Sequence, residues 1–259
     1  MRLISYNILD GGEGRADPLA EVILAQHADI VVLIEADDPI VLDRIANRLG
    51  MDCVAGVGRS DTSAILSRWP IRESVNHGLL RPAISRSLLE ATIVDPEGRP
   101  WVVGAVHLPA GAAEADEARR EPELAELLKI FWRHRSEHQR HIIAGDFNSN
   151  APSQKVDPAR CKPRTQEQWK QNGEMLPRRV IQNMLDAGYR DTFLEVAPQI
   201  AAVAGTFSTQ FPGQRVDYIF GHGFTAGQLS GAWIEQDRLA KYCSDHFPVG
   251  VEIRAGEVS

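Results

Sequence analysis

Ile30-Val31-Val32-Leu33-Ile34 is a continuous run of β-branched and aliphatic residues that stops abruptly at Glu35-Ala36-Asp37-Asp38-Pro39. Such a run suits a strand buried on both faces, which requires apolar layers above and below it. His141-Ile142-Ile143-Ala144-Gly145 repeats the design and ends in Asp146-Phe147-Asn148. With 259 residues and 43% hydrophobic content, the chain is long enough to bury one or two layers of sheet beneath helices. One domain spanning 1–259 is the simplest reading.

Around these runs the pattern alternates between strand and helix. Leu3 to Ile8 reads as a strand, and Asp17-Pro18 opens a helix carrying Leu19, Val22, Ile23 and Ala28. A second helix covers Val41 to Leu49. Cys53 to Val57, Ala64 to Ser67, Ser87 to Val94 and Trp101 to Val106 then read as strands joined by turns, with Ser67-Arg68 shaping the turn before Pro70. Glu114 to His134 is helical, with Leu124, Leu127, Leu128 and Phe131 on one face, an acidic first part expected to be solvated, and a restart expected at Pro122. Helical spacing resumes at Val180 to Leu185, and Val216 to Phe220 and Val249 to Ile253 complete the strands. Mixed strands and helices with hairpin-like connections favour two sheets packed face to face with helices outside, an α/β arrangement.

Composition excludes several classes. No apolar stretch approaches the roughly 20 residues of a membrane helix, and Met1 to Asn7 turns polar too soon for a secretory signal. Cys53, Cys161 and Cys243 lack metal-ligand spacing and cannot all pair, so a cytoplasmic chain without a disulfide framework is expected. The net charge of -7 counts against an extended nonspecific grip on a nucleic-acid backbone without excluding nucleic acid. A monomer is the favoured state.

Polar residues recur where strands end: Asn7, Glu35, His107, Asp146 with Asn148, Asp217, and Asp245 with His246. Strand ends on a shared edge let side chains distant in sequence converge on one ligand. Hydrolysis of a phosphate ester needs positive charge on the phosphoryl oxygens and a positioned water. Glu35 and Asp245 could hold Mg²⁺ or Mn²⁺, with Asn7 adding an amide oxygen or orienting a bound water. Asp146 could orient or deprotonate the attacking water, and Asn148 could position it or a phosphoryl oxygen. Asp217 could accept a hydrogen bond from His246 and favour its imidazolium form. Whether Asp146 or His246 is the general base stays open, and His107 is read as functional, with a satisfied core histidine as the alternative.

Those residues lie in motifs that resemble the endonuclease/exonuclease/phosphatase superfamily over most of the chain. The motifs are Ser5-Tyr6-Asn7, Ala28 to Glu35, Ala64 to Ile71, Val106-His107-Leu108, Gly145-Asp146-Phe147-Asn148, Arg215-Val216-Asp217-Tyr218-Ile219-Phe220 and Ser244-Asp245-His246-Phe247-Pro248. The resemblance implies a four-layer α/β sandwich of the DNase I-like type and metal binding by Glu35 with Asn7 and Asp245. It also implies phosphate or water contacts by His107, Asp146 and Asn148, and an Asp217–His246 pair. Ile34 stands where a Gln commonly precedes the metal-binding Glu, and Leu9 stands where several nucleases carry an acid or amide.

The expected activity is hydrolysis of phosphate esters by in-line attack of water, with a nuclease or other phosphodiesterase first. A phosphatase or phosphodiesterase for inositol phosphates or phospholipid head groups is the alternative, and a non-catalytic scaffold is the alternative of another class. A basic, irregular insertion at about 153–179 reads either as a solvated loop or as a closure over an anionic substrate through Arg160, Lys162, Arg164 and Trp169. Cys243 reads as a small buried thiol. His27, His77, His134, His138, His141 and His222 read as surface or turn residues.

Overall fold

The computed structural model describes residues 1–254, so residues 255–259 of the expected domain lie outside the described residues. Among the described residues, twelve strands form two mixed sheets. The strands are β1 (Arg2–Asn7), β2 (Ile30–Ile34), β3 (Asp52–Val57), β4 (Thr62–Ser67), β5 (Ile71–Asn76), β6 (Ser87–Val94), β7 (Pro100–His107), β8 (His141–Asp146), β9 (Arg190–Asp191), β10 (Asp217–His222), β11 (Leu229–Ile234) and β12 (Val249–Ile253). One sheet runs β11-β12-β1-β2-β4-β3 and the other β5-β6-β7-β8-β10-β9.

The apolar runs explain the layering. Successive side chains of a strand point to opposite faces. In β2, Ile30, Val32 and Ile34 enter the core between the sheets, while Val31 and Leu33 pack on the outer face with Leu19, Ile23, Leu42 and Ile45. Strand β8 does the same: Ile142 and Ala144 face inward, and Ile143 joins Leu124, Leu127, Val180 and Ile181. Helices Ala16–Ala25 and Pro39–Leu49 therefore cover one sheet, and helices Glu114–Ile130 and Arg179–Asp186 cover the other. Each fully buried Val, Ile or Leu contributes about 1.5–3 kcal/mol, so a polar substitution in either run would unseat two layers at once.

Strands β5 and β11, absent from the sequence-based expectation, are strands whose apolar signal is diluted: β5 is Ile-Arg-Glu-Ser-Val-Asn at a sheet edge, and β11 is mostly half-buried. The Ser67 hydroxyl accepts the Trp69 amide at 2.9 Å, which forms the expected turn.

Two expectations about the Glu114 helix are corrected. It runs through Pro122 to Ile130 without a restart. Pro122 lacks an N–H, but it lies on the exposed side, and buried residues on both sides of it anchor the helix. Its acidic first part is also not simply solvated. Glu117 is fully buried, pairing with Arg120 at 2.8 Å and accepting from the Val180 amide at 2.8 Å and the Ser149 hydroxyl at 3.0 Å. The insertion, too, is less irregular than expected, since residues Pro163–Gln171 form a helix that starts with Pro at its first position.

Candidate active site

The register of the strands assembles the site. The parallel pair β1–β2 sets Asn7 opposite Ile34, which brings Glu35 beside Asn7. The parallel pair β7–β8 sets His107 opposite Asp146, while the antiparallel neighbours place Ser87 opposite His107 and Asp217 opposite Asp146. A polar row, Ser87–His107–Asp146–Asp217, thus crosses one sheet at the edge where Asn7 and Glu35 leave the other. Because β12 is antiparallel to β1, the chain enters it at the same edge and delivers Asp245 and His246 there.

Gly145 accounts for the close approach of β8 to β7. Its φ is +145°, and a Cβ there would lie 1.9 Å from the Val106 carbonyl oxygen. The following turn is closed by the Asn148 amide donating to Asp146 Oδ1 at 2.9 Å, and Asn148 Nδ2 donates to the Leu108 carbonyl at 3.0 Å.

Asp146 is the hub. Its Oδ2 lies 3.3 Å from Asn7 Nδ2, 3.6 Å from His107 Nε2 and 3.7 Å from His246 Nε2. Burial raises its proton affinity, the neighbouring Asp217 raises it further, and His246 and His107 oppose this. On the other side of the imidazole, His246 Nδ1 lies 2.9 Å from Asp217 Oδ2. Burial alone would lower the pKa of His246, but Asp217 and Asp146 outweigh it and hold the ring as an imidazolium. Asp146, Asp217 and His246 each place a ligand-type atom within 4.8 Å of the others, all buried.

His107 is not a bystander in an apolar core. Its Nδ1 lies 3.3 Å from Asp61, and its Nε2 lies 2.8 Å from Arg86 Nη1. The same Arg86 Nη1 lies 3.1 Å from Nδ1, so the guanidinium sits against both ring nitrogens. Asp61 also accepts from the Ser87 hydroxyl at 2.7 Å. Burial would raise the Asp61 pKa, but His107, Ser87 and Arg86 hold it below the ordinary range. Asp61, Ser87 and Arg86 were missed by sequence reasoning, and the only signal for them is the Ser87–His107 register. Phe207 was missed as well: its ring packs 4.7 Å from His246 on the 206–209 segment.

Glu35 and Asp245 offer oxygen donors at the edge of this cluster, the chemistry a hard cation such as Mg²⁺ requires. Glu35 is partly exposed, has φ +58°, and accepts from Asn7 Nδ2 at 3.0 Å and the Asp10 amide at 3.1 Å. No basic side chain lies closer to it than His107 at 3.9 Å among the described residues, so its charge is available to a metal. Asn7 Oδ1 accepts the Leu9 amide at 3.0 Å, which leaves the nitrogen of Asn7 facing the carboxylates. In this arrangement Asn7 orients Glu35 and Asp146 rather than presenting an oxygen. Arg15 secures the loops beside Glu35 and Asp245 by donating to the carbonyls of Ile8, Leu9 and Cys243.

The basic insertion divides. Lys162 Nζ lies 3.1 Å from Asp245 Oδ2 and 4.1 Å from the Phe207 ring centroid, and Arg164 lines the hollow beside Asn148. Arg160 is exposed and lines neither hollow next to the site. Trp169 borders a separate hollow with Lys155, Met175 and Arg178. Cys243 is buried, as expected, and burial pushes its thiol pKa up.

The remaining histidines are only partly surface residues, as His27 and His138 are. His141 is fully buried, and Glu90 bridges His77 at 2.9 Å and His134 at 3.0 Å. These partners lie far apart in the chain, so no local pattern announces them.

Two six-stranded sheets faced by helices, with an Asp–His pair, an Asp/Asn turn and an acidic rim at one edge, make the architecture and donor set of a phosphoester hydrolase. The chain belongs to the Endonuclease/Exonuclease/phosphatase family, whose model matches residues 4–246. Solved structures agree in fold. A 3′ phosphatase from Neisseria bound to a product DNA hairpin superposes with a TM-score of 0.71 at 23% identity, covering 98% of this chain and 100% of that one. An AP endonuclease from Archaeoglobus fulgidus gives 0.72 at 16% identity, covering 98% and 100%. An endonuclease/exonuclease/phosphatase from Beutenbergia cavernae DSM 12333 gives 0.70 at 21% identity, covering 99% and 72%. A search of curated proteins finds no match. Among the described residues no helix is long and apolar enough to cross a membrane.

Proposed function

We propose that the chain is a divalent-metal-dependent phosphodiesterase acting on nucleic acid or a nucleotide-like diester. The observation that carries this reading is His246, fixed between Asp217 at 2.9 Å and Asp146 at 3.7 Å, at the edge where Glu35 and Asp245 present oxygens. Glu35 and Asp245 would hold Mg²⁺ or Mn²⁺, which when bound supplies positive charge to the phosphoryl oxygens and leaving group.

The protein groups then divide the remaining work. His246, kept protonated chiefly by Asp217 and Asp146, donates to a phosphoryl oxygen. It is therefore a poor base, and the buried Asp146, with its raised proton affinity, is the group that takes the proton from water. Asn7 and the Asn148 amide hold the two Asp146 oxygens in place. As the water oxygen bonds to phosphorus, the opposite ester P–O bond breaks. The solved DNA-bound likeness favours nucleic acid as the first substrate class to test.

The test is hydrolysis of single- and double-stranded DNA, RNA, a chromogenic diester, inositol phosphates and a phospholipid by purified protein with Mg²⁺, Mn²⁺ or chelator. Asp146→Ala and His246→Ala preparations run in parallel. The reading requires metal-dependent cleavage of diesters that both variants lose. Inertness toward every ester would favour a scaffold, and turnover of inositol phosphates or phospholipid alone would move the substrate to that class.

A further inference from the structure

Beside Asn148 lies a hollow of about 270 Å³, walled by the Pro163–Gln171 helix on one side and by Phe207 and Gln214 on the other. Its helix wall is fastened to the opposite loop: Gln168 Oε1 accepts the Ala112 amide at 3.2 Å, and Asn172 Nδ2 donates to the Ala112 carbonyl at 2.9 Å. Lys162 and Arg164 are the charged side chains that line it, and no Asp or Glu does. In a chain of net charge -7, an all-cationic lining is not the average surface. The other cations nearby are engaged elsewhere, since Arg178 donates to the Ala151, Pro152 and Gln154 carbonyls and Arg179 pairs with Glu114 and Glu121. Arg164 has no hydrogen-bond or ion-pair partner among the described residues, and the half-exposed Lys162 reaches Asp245 at 3.1 Å over the Phe207 face with part of its ammonium open to the hollow. Lys162 also borders a second hollow with Arg15, Lys241 and Tyr242, so it stands where the two hollows meet beside Asp245.

We propose that Lys162 and Arg164 form a second anion subsite that receives a phosphate adjoining the scissile one, making the chain selective for diesters whose flanking arm is itself phosphorylated. This rests on the hydrolytic reading above and names its substrate preference. Asn148, whose amide binds Asp146 Oδ1, lines the same hollow as Lys162 and Arg164, so an ester held at Asp146 lies at the mouth of the cationic hollow. A phosphate there would meet the Arg164 guanidinium, free for bidentate contact, and the Lys162 ammonium. A nucleic-acid strand and a small polyphosphorylated diester present the same chemistry.

The experiment compares a dinucleotide bearing a 5′ phosphate, the same dinucleotide without it, and bis(p-nitrophenyl) phosphate, with wild type, Arg164→Ala, Lys162→Ala and Lys162→Arg. A small bis-phosphorylated alkyl diester distinguishes the two sources. Removing either cation should lower kcat/KM for the phosphorylated dinucleotide about tenfold more than for the other two dinucleotide-length or aryl diesters, the size of one charge-assisted hydrogen bond. The loss should appear in KM, and Lys162→Arg should recover most of it. Binding of a fluorescein-labelled phosphorylated dinucleotide in chelator should weaken in parallel, with a shallower salt dependence. Equal losses on all diesters would assign these cations a general role and overturn the subsite, as would variants indistinguishable from wild type. If the wild type cleaves no phosphate ester at all, the hydrolytic reading fails with it. If the labelled dinucleotide nonetheless binds through Arg164, the anion site stands without the chemistry.

Discussion

Replacing Asp217 by Asn keeps shape and volume but removes the charge beside His246. The two residues are buried, 2% and 5% exposed, and their 2.9 Å contact is the shortest of the three carboxylate contacts, to Asp217, Asp146 and Asp245, that keep the ring protonated. Asparagine can still accept a hydrogen bond from Nδ1–H, so the ring should stay in place while its proton affinity falls. The interaction lost is one charge-assisted donor aimed at the phosphoryl oxygens, and removing one such preorganised group costs about 2.7–4 kcal/mol, or ~10²–10³ in kcat. KM should change little, because Asp217 lies behind the ring, away from the substrate. Since His246 acts as an acid, its deprotonation ends activity at alkaline pH, and a lowered pKa moves that limb of the kcat profile toward neutral. Initial rates on a chromogenic diester from acid to alkaline pH, with circular dichroism as the folding control, measure both effects. A folded variant whose kcat and alkaline limb both match wild type would refute the assigned role of His246.

Three further outcomes concern the frame around the site. Glu117→Ala strands Arg120, which is 1% exposed, without its carboxylate and should cost about 3–5 kcal/mol in urea denaturation, while an unchanged midpoint would show the buried pair to be dispensable. Gly145→Ala sets a methyl 1.9 Å from the Val106 oxygen and should force β8 from β7, lowering the melting temperature and abolishing hydrolysis together; a stable, active variant would contradict the register described. Burial pushes the His141 pKa down from 6.5 to about 4, so below pH 6.5 the unfolded chain binds a proton that the folded one refuses. Stability should therefore drop between those pH values by up to about 3 kcal/mol at ~1.4 kcal/mol per unit, and His141→Phe should flatten that slope in denaturation curves even if it lowers the baseline.

What could be read before the structure was the part carried by continuous apolar runs. Ile30 to Ile34 and His141 to Gly145 specify strands covered on both sides, and the residue that breaks each run, Glu35 or Asp146, lies in the candidate site. Asp217 and His246 were legible through their motifs. Asp61, Ser87 and Arg86 were not, because their importance arises from cross-strand register and a turn with no periodicity. Phe207 lies in an irregular segment and gains its role only from packing on His246. Within the insertion, charge alone could not separate Lys162 and Arg164, which face the cleft, from Arg160, which does not. Pro122 misled because its cost of about 3 kcal/mol is offset by the burial of Leu124 and Leu127, each contributing about 1.5–3 kcal/mol, on a helix that keeps Pro122 on its exposed side.

The most direct test of the proposed chemistry is a calorimetric Mn²⁺ titration of wild type and Glu35→Gln, read beside diester hydrolysis by the same samples. The account predicts a binding isotherm and hydrolysis that both collapse when Glu35 loses its charge. Hydrolysis that persists in chelator, or a Glu35→Gln protein that binds Mn²⁺ and cleaves diesters as wild type does, would contradict it.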